Sequence, residues 1–290
     1  MYYIGIDGGG TKTVGLLSDG KNVIGKALSG ASNPKDIGIE RSARVICDVI
    51  ETLTRTLGNE KVNVFAGIAG AGSCREALAQ MIRNEIQNLN IELGTDVDNI
   101  LSLCFEDRDG CAVICGTGSV AYVKRGDELH RVGGWGYMLD SGGSGYDIGR
   151  DGIEAVLRAS DGRGASTLIA KYVREKLGKH PKDALDEIYS GGKSFIASFA
   201  ECVFAADEEG DMVAGAVLDR NAYKIAEYVT AADGILQEPF ECILAGGIVE
   251  NHPDFVGRIR DFCADIDCRI TVNTENAVYG ALKLAKSKQI

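Results

Sequence analysis

The residues with the clearest chemical potential form a glycine-rich turn near the start of the chain. An apolar stretch ends at Asp7 and continues as Gly8-Gly9-Gly10, Thr11, Lys12 and Thr13. Glycines permit positive φ and let backbone N–H groups approach an anion, while the hydroxyl and ammonium groups add donors. A carboxylate at a strand end suits a hydrated Mg²⁺ that bridges nucleotide phosphates. The turn therefore predicts a phosphate-binding hairpin, and a hairpin whose glycines serve only the turn is the alternative.

Two common nucleotide motifs do not fit the glycine-rich segments. A P-loop needs a glycine directly before its lysine and then a helix, but Thr11 separates Gly10 from Lys12 and an apolar strand pattern follows. A second segment, Gly116-Thr117-Gly118-Ser119, begins like a dinucleotide fingerprint, which needs a helix at its second glycine. Residues 120–123 continue as β structure instead. Both segments therefore predict a strand, a turn and a second strand.

Together with other glycine-rich segments, these hairpins resemble the sugar kinase, heat-shock chaperone and actin superfamily. More narrowly, the chain resembles N-acetylglucosamine kinases within the BadF/BadG/BcrA/BcrD ATPase family, which includes activators of benzoyl-CoA reductase. The two hairpins are specific to the superfamily. The segment around the tryptophan narrows the resemblance to the N-acetylglucosamine kinases. The matching pieces follow the family order over nearly the whole chain: Asp7 to Thr13, Ser32-Asn33, Thr95-Asp96-Val97, Gly116 to Ser119, Gly133-Gly134-Trp135-Gly136, Gly143-Ser144-Gly145-Tyr146 and Gly246-Gly247.

The resemblance implies an α/β fold of two ribonuclease-H-like (actin-like ATPase) domains with an active-site cleft between them. Residues 1–109 are assigned to the first domain and residues 110–290 to the second. The last helix, 276–290, is the segment that can pack back across the hinge. The apolar periodicity agrees, because a βββαβαβα order is followed by a second run of strands and helices, including a helix over 195–206.

The resemblance also implies ATP and Mg²⁺ as cofactors, with Asp7 as the magnesium ligand. Two glycines late in the chain are assigned to a close approach by the adenosine. Lys12 is equally compatible with a solvated lysine at the tip of a hairpin. The predicted nucleotide-binding residues are Gly9, Gly10, Thr11, Lys12, Thr13, Gly116, Thr117, Gly118, Gly246 and Gly247.

Asp96 is the predicted catalytic base. It follows Leu93-Gly94-Thr95, where a strand is expected to end and a helix to begin, which is the lip of the crevice in open α/β sheets. Family kinases carry their catalytic aspartate in this Thr-Asp context. An aspartate at this position is also a common helix N-cap, so capping is the alternative, and Asp98 is a second residue able to cap.

Sugar recognition is predicted in an extended loop and in the tryptophan segment. The Asn33 amide can both donate to and accept from sugar hydroxyls. Trp135, the only tryptophan, either presents a face to the ligand or packs in the core. Family members commonly carry the sequence Gly-Asp-Glu-Gly-Ser where this chain has Asp140-Ser141-Gly142-Gly143-Ser144. This difference leaves the identity of the substrate sugar open. The predicted substrate-binding residues are Asn33, Gly134, Trp135, Gly136, Asp140, Ser141 and Ser144.

Composition limits the partners and the location. The 290 residues carry a net charge of −11, which disfavours nucleic acid and anionic membranes. No run approaches the ~18 apolar residues of a membrane span, and a strand pattern begins at once, so a cytoplasmic protein is expected. The 9 cysteines lack Cys-x-x-Cys spacing and the 3 histidines are scattered, which predicts reduced thiols and no zinc site. A homodimer is compatible with the sequence.

The predicted function is ATP-dependent phosphorylation of N-acetylglucosamine or a related amino sugar at its 6-hydroxyl, by a phosphotransferase with an alcohol acceptor. Muramic acid derivatives, glucosamine and other hexoses stay open. One alternative is an activating ATPase of a 2-hydroxyacyl-CoA dehydratase or benzoyl-CoA reductase, whose iron–sulfur cluster needs cysteines gathered at an exposed site. The other is a non-enzymatic nucleotide-dependent switch of the actin or chaperone type. The tryptophan segment favours the kinase.

Overall fold

The computed structural model describes residues 1–58, 60–105 and 108–287. The chain forms two compact units, of which the first comprises Met1–Glu106 with Glu275–Ile290 and the second comprises Asp107–Thr274. None of the helices within the described stretches is both long enough and apolar enough to cross a membrane.

The described residues form ten strands and thirteen α-helices. In chain order these are β1 (Tyr2–Gly8), β2 (Thr13–Ser18), β3 (Val23–Ser29), α1 (Pro34–Ile37), α2 (Ile39–Thr54), β4 (Val62–Ile68), α3 (Arg75–Glu85), β5 (Leu89–Gly94), α4 (Asp96–Cys104), β6 (Gly110–Cys115), β7 (Ser119–Arg125), β8 (Glu128–Val132), α5 (Gly145–Ser160), α6 (Ile169–Leu177), α7 (Leu185–Ser190), α8 (Gly192–Ala197), α9 (Ala200–Glu208), α10 (Met212–Leu236), β9 (Phe240–Ala245), α11 (Gly247–Asn251), α12 (Pro253–Phe262), β10 (Cys268–Val272) and α13 (Ala277–Ser287).

The two units contain sheets of the same topology. The first sheet has the order β3-β2-β1-β4-β5 and the second has the order β10-β9-β6-β7-β8. In each, three antiparallel strands come first, and the next two strands lie parallel to the first strand of the unit. This is the ribonuclease-H-like order, so the predicted α/β fold with two related halves is confirmed. A glycine-rich hairpin joins the first two strands of both sheets.

Alternating residues of β1 pack against helices on opposite faces of the first sheet. Ile4 and Ile6 join the core formed with α2 and α3, while the position between them is Gly5. A Cβ on Gly5 would lie 2.2 Å from the backbone nitrogen of Leu282 in α13. Glycine at this position therefore lets α13 pack directly on the strand. The domain division made from the sequence counted this helix with residues 110–290; of the predicted 276–290, residues 288–290 lie outside the described residues.

The helix predicted over 195–206 is divided in the structure. α8 ends at Ala197 and α9 begins at Ala200. At the break, the Ser198 hydroxyl donates to the Phe195 carbonyl (2.6 Å), which is the local hydrogen bond that lets serine compete with a continuous helix. The prediction of one uninterrupted helix is therefore wrong, although both pieces are helical.

Candidate active site

The first hairpin joins β1 to β2 through residues 9–12. The Gly9 N–H donates to the Lys12 carbonyl (3.1 Å), and Thr11 and Lys12 are exposed at the tip. Glycine permits positive φ, but none of the glycines at 8–10 adopts it. Gly8 is required for space instead, since a Cβ there would lie 2.2 Å from Ser32 Oγ. The hairpin is therefore shaped by close packing and not by left-handed backbone.

Thr13 begins β2 with its side chain in the interior. Its hydroxyl is hydrogen bonded to the Gly30 carbonyl and to Ser32 Oγ, both at 2.8 Å. The Ser32 N–H in turn donates to the Gly9 carbonyl (2.9 Å). These bonds hold the loop of residues 30–33 against the hairpin. The Thr13 side chain therefore positions the turn, whereas Thr11 carries the hydroxyl that reaches solvent.

Asp7, near the end of β1, meets a side chain from α4. Asn99 Nδ2 donates to Asp7 Oδ1 (2.7 Å) and lies 3.3 Å from the Gly67 carbonyl of β4. Asn99 is fully buried, and its Oδ1 has no hydrogen-bond partner in the described part of the chain. Burial raises the pKa of Asp7; the Asn99 hydrogen bond lowers it, and the nearby Asp96 charge raises it again. The net result is a pKa above the ordinary aspartate value.

Asp96 is the first residue of α4, and its neighbours perform the capping. Thr95 donates to Asp98 Oδ2 through both its N–H (2.6 Å) and its hydroxyl (2.9 Å), and the helix start has a capping box. The half-buried Asp96 carboxylate is not needed for that motif. Burial raises the pKa of Asp96, against hydrogen bonds from the backbone N–H groups of Val97 and of Asp96 itself. A carboxylate with a raised pKa is a better proton acceptor than an ordinary one.

Asp96 and Asn99 lie three residues apart, so both project from the same face of α4 toward the end of β1. Asp7 is the predicted magnesium ligand, and the charge of Asp96 lies close enough to raise its pKa. No group of three His, Cys, Asp or Glu side chains suited to a metal occurs in the described ranges. Mg²⁺ is commonly held by one or two carboxylates with water and substrate phosphates. The residues present therefore fit Mg²⁺, whose charge would offset the repulsion between the two carboxylates.

Asn33 is the N-cap of α1. Its Oδ1 accepts a hydrogen bond from the Lys35 N–H (3.0 Å). Gly70, which follows β4 with a φ of +77°, lies directly against it, since a Cβ on Gly70 would be 2.1 Å from Asn33 Oδ1. The oxygen of the amide is thus engaged within the protein. Its Nδ2 group is the donor that remains for a sugar hydroxyl.

The second hairpin joins β6 to β7 and is fixed by the start of α5. The Gly116 N–H donates to the Gly118 carbonyl (2.9 Å) across the turn. The Gly145 N–H donates to the Gly116 carbonyl (2.8 Å), and the Tyr146 N–H donates to the Thr117 carbonyl (3.3 Å). The first N–H groups of the helix therefore hold the hairpin in place. Thr117 is exposed at its tip.

The tryptophan segment lies beside this hairpin. Trp135 is 65% exposed, which excludes the core-packing alternative, and the Arg131 guanidinium lies 4.7 Å from its ring centroid. The Trp135 N–H donates to Asp140 Oδ2 (3.2 Å). A small cavity of about 50 Å³ is lined by residues of both segments, including Gly118, Gly134, Gly136 and Asp140. The structure thus brings together predicted phosphate-binding and sugar-binding residues of the second unit.

Asp147 organises the segment between the tryptophan and α5, and the sequence analysis did not identify it. Asp147 Oδ2 accepts from the Ser144 N–H (3.0 Å) and hydroxyl (2.7 Å), and its Oδ1 accepts from the Ser141 hydroxyl (2.8 Å). Both serines predicted to bind sugar are therefore hydrogen bonded to Asp147. The signal that could have found it is the Ser-x-x-Asp spacing of a capping box. Asp140 remains the half-buried carboxylate of this segment available to a sugar.

The late glycine pair has two different environments. Gly246 has a φ of +105°, and a Cβ there would lie 2.6 Å from the Cys115 carbonyl of β6. Its N–H donates to Glu250 Oε1 (2.8 Å). Glycine at 246 is thus required by the protein's own backbone. Gly247 is exposed, and a Cβ there would meet only Asn251 Nδ2, at 3.8 Å, so Gly247 is the glycine of the pair with open space beside it.

The two sheets of the same ribonuclease-H-like order define the class of α/β fold to which the actin-like ATPases belong. The sequence profile of the BadF/BadG/BcrA/BcrD ATPase family matches residues 4–274, and the chain belongs to this family, as its motifs predicted.

Two relatives and one solved structure agree with this assignment. The chain is 30% identical to the N-acetylmuramic acid/N-acetylglucosamine kinase of Clostridium acetobutylicum, over 99% of each protein. It is 27% identical to the glucosamine kinase GspK of Vibrio cholerae, over 98% of this chain and 95% of that one. A Chromobacterium violaceum crystal structure, solved as that of a candidate N-acetylglucosamine kinase, has a TM-score of 0.78 at 23% identity and 98% coverage of both chains. The structural likeness supports the fold.

Proposed function

We propose that this protein transfers the γ-phosphate of ATP to the 6-hydroxyl of N-acetylglucosamine or a closely related amino sugar. The observation that carries the proposal is the position of Asp96 beside Asp7, with its pKa raised and with helix capping performed by Thr95 and Asp98. The relatives that match this chain over nearly its whole length are kinases of N-acetylmuramic acid, N-acetylglucosamine and glucosamine. Their acceptors share an amino-sugar core, which supports this substrate class.

In the proposed reaction Asp96 accepts the proton of the sugar hydroxyl. The sugar oxygen forms a bond to the γ-phosphorus, the bond between that phosphorus and the leaving oxygen of ADP breaks, and the proton moves to the Asp96 carboxylate. Phosphoryl transfer depends mainly on positioning and charge stabilisation, so a single oriented base is sufficient. Asn99 holds Asp7 by the 2.7 Å hydrogen bond and keeps the carboxylate oriented.

Mg²⁺ fits at Asp7 and, when bound, would neutralise charge on the phosphates. The two hairpins are proposed to bind the phosphates, through Thr11 and Lys12 in the first and Thr117 and Gly118 in the second. For the sugar we propose Asn33 Nδ2, Asp140 and the exposed face of Trp135. Three predicted ligand-binding residues have hydroxyls that are hydrogen bonded inside the protein: Thr13, Ser141 and Ser144. We propose that they position the binding loops and do not contact the ligands.

The activating-ATPase alternative is disfavoured by the cysteines. Seven of the nine are buried, and burial raises the pKa of several, including Cys115 and Cys263, to about 12. An iron–sulfur cluster requires thiolates at one accessible site. The exposed tryptophan beside a polar cavity favours a small-molecule substrate over a purely non-enzymatic switch. The cytoplasmic location and the homodimer stay predictions from the sequence.

The test is an ADP-release assay over a panel of N-acetylglucosamine, N-acetylmuramic acid, glucosamine and glucose, with ³¹P and ¹H NMR to locate the new phosphate. We expect ADP release that requires an amino sugar and Mg²⁺, and a product phosphorylated on O6. ADP release at the same rate with and without every sugar would contradict the proposal, as would a product phosphorylated at another position.

A further inference from the structure

One cation beside the second hairpin has no part in the mechanism above. Lys193 is the second residue of α8, far along the chain from the hairpin. A Cβ placed on Gly118 would lie only 2.7 Å from Lys193 Nζ, so the glycine leaves the space in which the ammonium group sits. The same ammonium lies 5.8 Å from the ring centroid of Tyr137. The side chain is therefore directed at the turn of the hairpin and is half-buried there.

Lys193 lacks a carboxylate partner within the described part of the chain, although two acids line the same cavity. Asp140 accepts from the Trp135 N–H, and Asp147 accepts from two serines and pairs with Arg150 at 3.5 Å. Neither acid therefore forms an ion pair with Lys193 among the described residues. A half-buried ammonium without a counter-ion is unfavourable unless a bound anion compensates its charge.

The hairpin itself supplies further donors for an anion. Among the described residues, the backbone N–H groups of Thr117 and Gly118 and the Thr117 hydroxyl have no hydrogen-bond partner within the protein. Consecutive free N–H groups in a turn form an anion-binding concavity. With the ammonium of Lys193 at the same turn, the donors match the several oxygens and the charge of a phosphate group. Lysine acts on phosphate as a compact point charge.

We propose that Lys193 binds the terminal phosphates of ATP at the second hairpin and is a nucleotide-binding residue of this enzyme. This inference rests on the proposed function for the identity of the anion. It assigns to the second unit a cation that corresponds to Lys12 of the first hairpin, supplied by a helix rather than by the turn. The alternative occupant, a carboxylate on the sugar, is an outcome of the test.

The test measures ligand binding by calorimetry, so it does not depend on which sugar is phosphorylated. Lys193→Met is compared with Lys193→Arg and with the control Lys182→Met, which removes an exposed lysine from a neighbouring turn. ATP, ADP, AMP, N-acetylglucosamine and N-acetylmuramic acid, which carries a carboxylate, are titrated in the presence of Mg²⁺. We expect Lys193→Met to weaken ATP binding by roughly 10- to 100-fold, as for loss of a charged hydrogen bond, with AMP and sugar binding unchanged. Lys193→Arg should weaken ATP binding less than Lys193→Met does, and Lys182→Met should leave ATP binding unchanged.

Thermal unfolding of each variant separates loss of binding from loss of folding. ATP affinity within twofold of the wild type in a folded Lys193→Met protein would overturn the inference. Weakened binding of the sugar with unchanged binding of ATP would also overturn it, because Lys193 would then face the acceptor. If the wild type binds ATP but phosphorylates no sugar in the panel, the proposed function fails, while the binding titrations still decide the role of Lys193.

Discussion

The two units share a strand order but differ in the surroundings of their carboxylates, which are half-buried in the first unit and fully buried in the second. In the first unit, Asp7 and Asp96 lie together without an ion pair in the described part of the chain, and burial raises the pKa of both. In the second unit, Asp151 of α5 is 5% exposed and pairs with Arg150 (2.8 Å) and Arg220 (3.0 Å). Burial opposes ionisation there too, but hydrogen bonds from the arginines and from Asn221 lower the pKa of Asp151.

This difference separates a functional carboxylate from a structural one. A buried carboxylate that is paired and hydrogen bonded contributes to a stable fold, and removing it leaves its partners without compensation. One that is buried with a second carboxylate reduces stability and is retained where chemistry uses it. On this criterion we propose that Asp7 and Asp96 of the first unit carry the chemistry of the site, whereas the charged network on α5 stabilises the second unit.

The largest effect on stability is expected at Asp151. Asp151→Ala leaves two arginines and the Asn221 amide without their shared acceptor, so the free energy of unfolding should fall by about 3–5 kcal/mol in a denaturant titration. The control is Glu154→Ala on the same helix, an exposed residue 3.6 Å from Arg158, for which we expect a change within about 0.5 kcal/mol. Equal stability of Asp151→Ala and the wild type would contradict the structural role assigned to Asp151.

A large effect on catalysis without loss of stability is expected at Asp7. Asp7→Asn removes the proposed magnesium ligand, so kcat should fall by at least about 100-fold and the Mg²⁺ concentration for half-maximal rate should rise. Asp19→Asn, at the turn after β2, is the matched control and should leave both quantities unchanged. An identical Mg²⁺ dependence in the wild type and in Asp7→Asn would contradict the assignment of Asp7 as the magnesium ligand.

A smaller effect is expected at the exposed tryptophan. Because Trp135 is the only tryptophan, its fluorescence reports sugar binding directly in the wild type. Trp135→Ala should raise the KM for the sugar by about 3- to 10-fold, the usual contribution of one aromatic contact, with the KM for ATP unchanged. Two results together would show that the sugar does not contact Trp135. The intensity and emission maximum of the wild-type fluorescence would stay constant as sugar is added, and the KM of Trp135→Ala for the sugar would equal that of the wild type.

The smallest effect is a pH dependence of stability with a defined sign. A carboxyl group whose pKa is raised on folding binds its proton more tightly in the folded state. Its stabilising contribution is complete below the ordinary value of 3.8 and is lost as pH rises through the folded pKa. Asp96→Asn imitates the neutral acid, so at pH 7 its melting temperature should equal or exceed that of the wild type, and the difference should shrink toward pH 4. A melting temperature lower at pH 7 than that of the wild type would contradict this sign.

The succession of strands and helices along the chain and the two hairpins could be predicted from the sequence because their signals are local. Glycine runs follow apolar strands at both hairpins, and Asp96 sits where a strand pattern changes to a helix pattern. The contacts made by Asn99 and Lys193 could not be predicted, since each depends on a helix reaching a strand end or turn that is distant in the chain. The need for glycine at position 8 could not be predicted for the same reason, because it comes from the close approach of Ser32, which is distant in the chain.

The most direct test of the account compares Asp96→Asn with Asp98→Asn, two substitutions in the same turn of α4. Single-turnover phosphoryl transfer and thermal unfolding are measured for both. We predict that Asp96→Asn still binds ATP but slows transfer by about 10³-fold without loss of stability, whereas Asp98→Asn lowers stability by about 1 kcal/mol and changes transfer only slightly. Full transfer activity in Asp96→Asn, or loss of transfer only in Asp98→Asn, would contradict the assignment of Asp96 as the base.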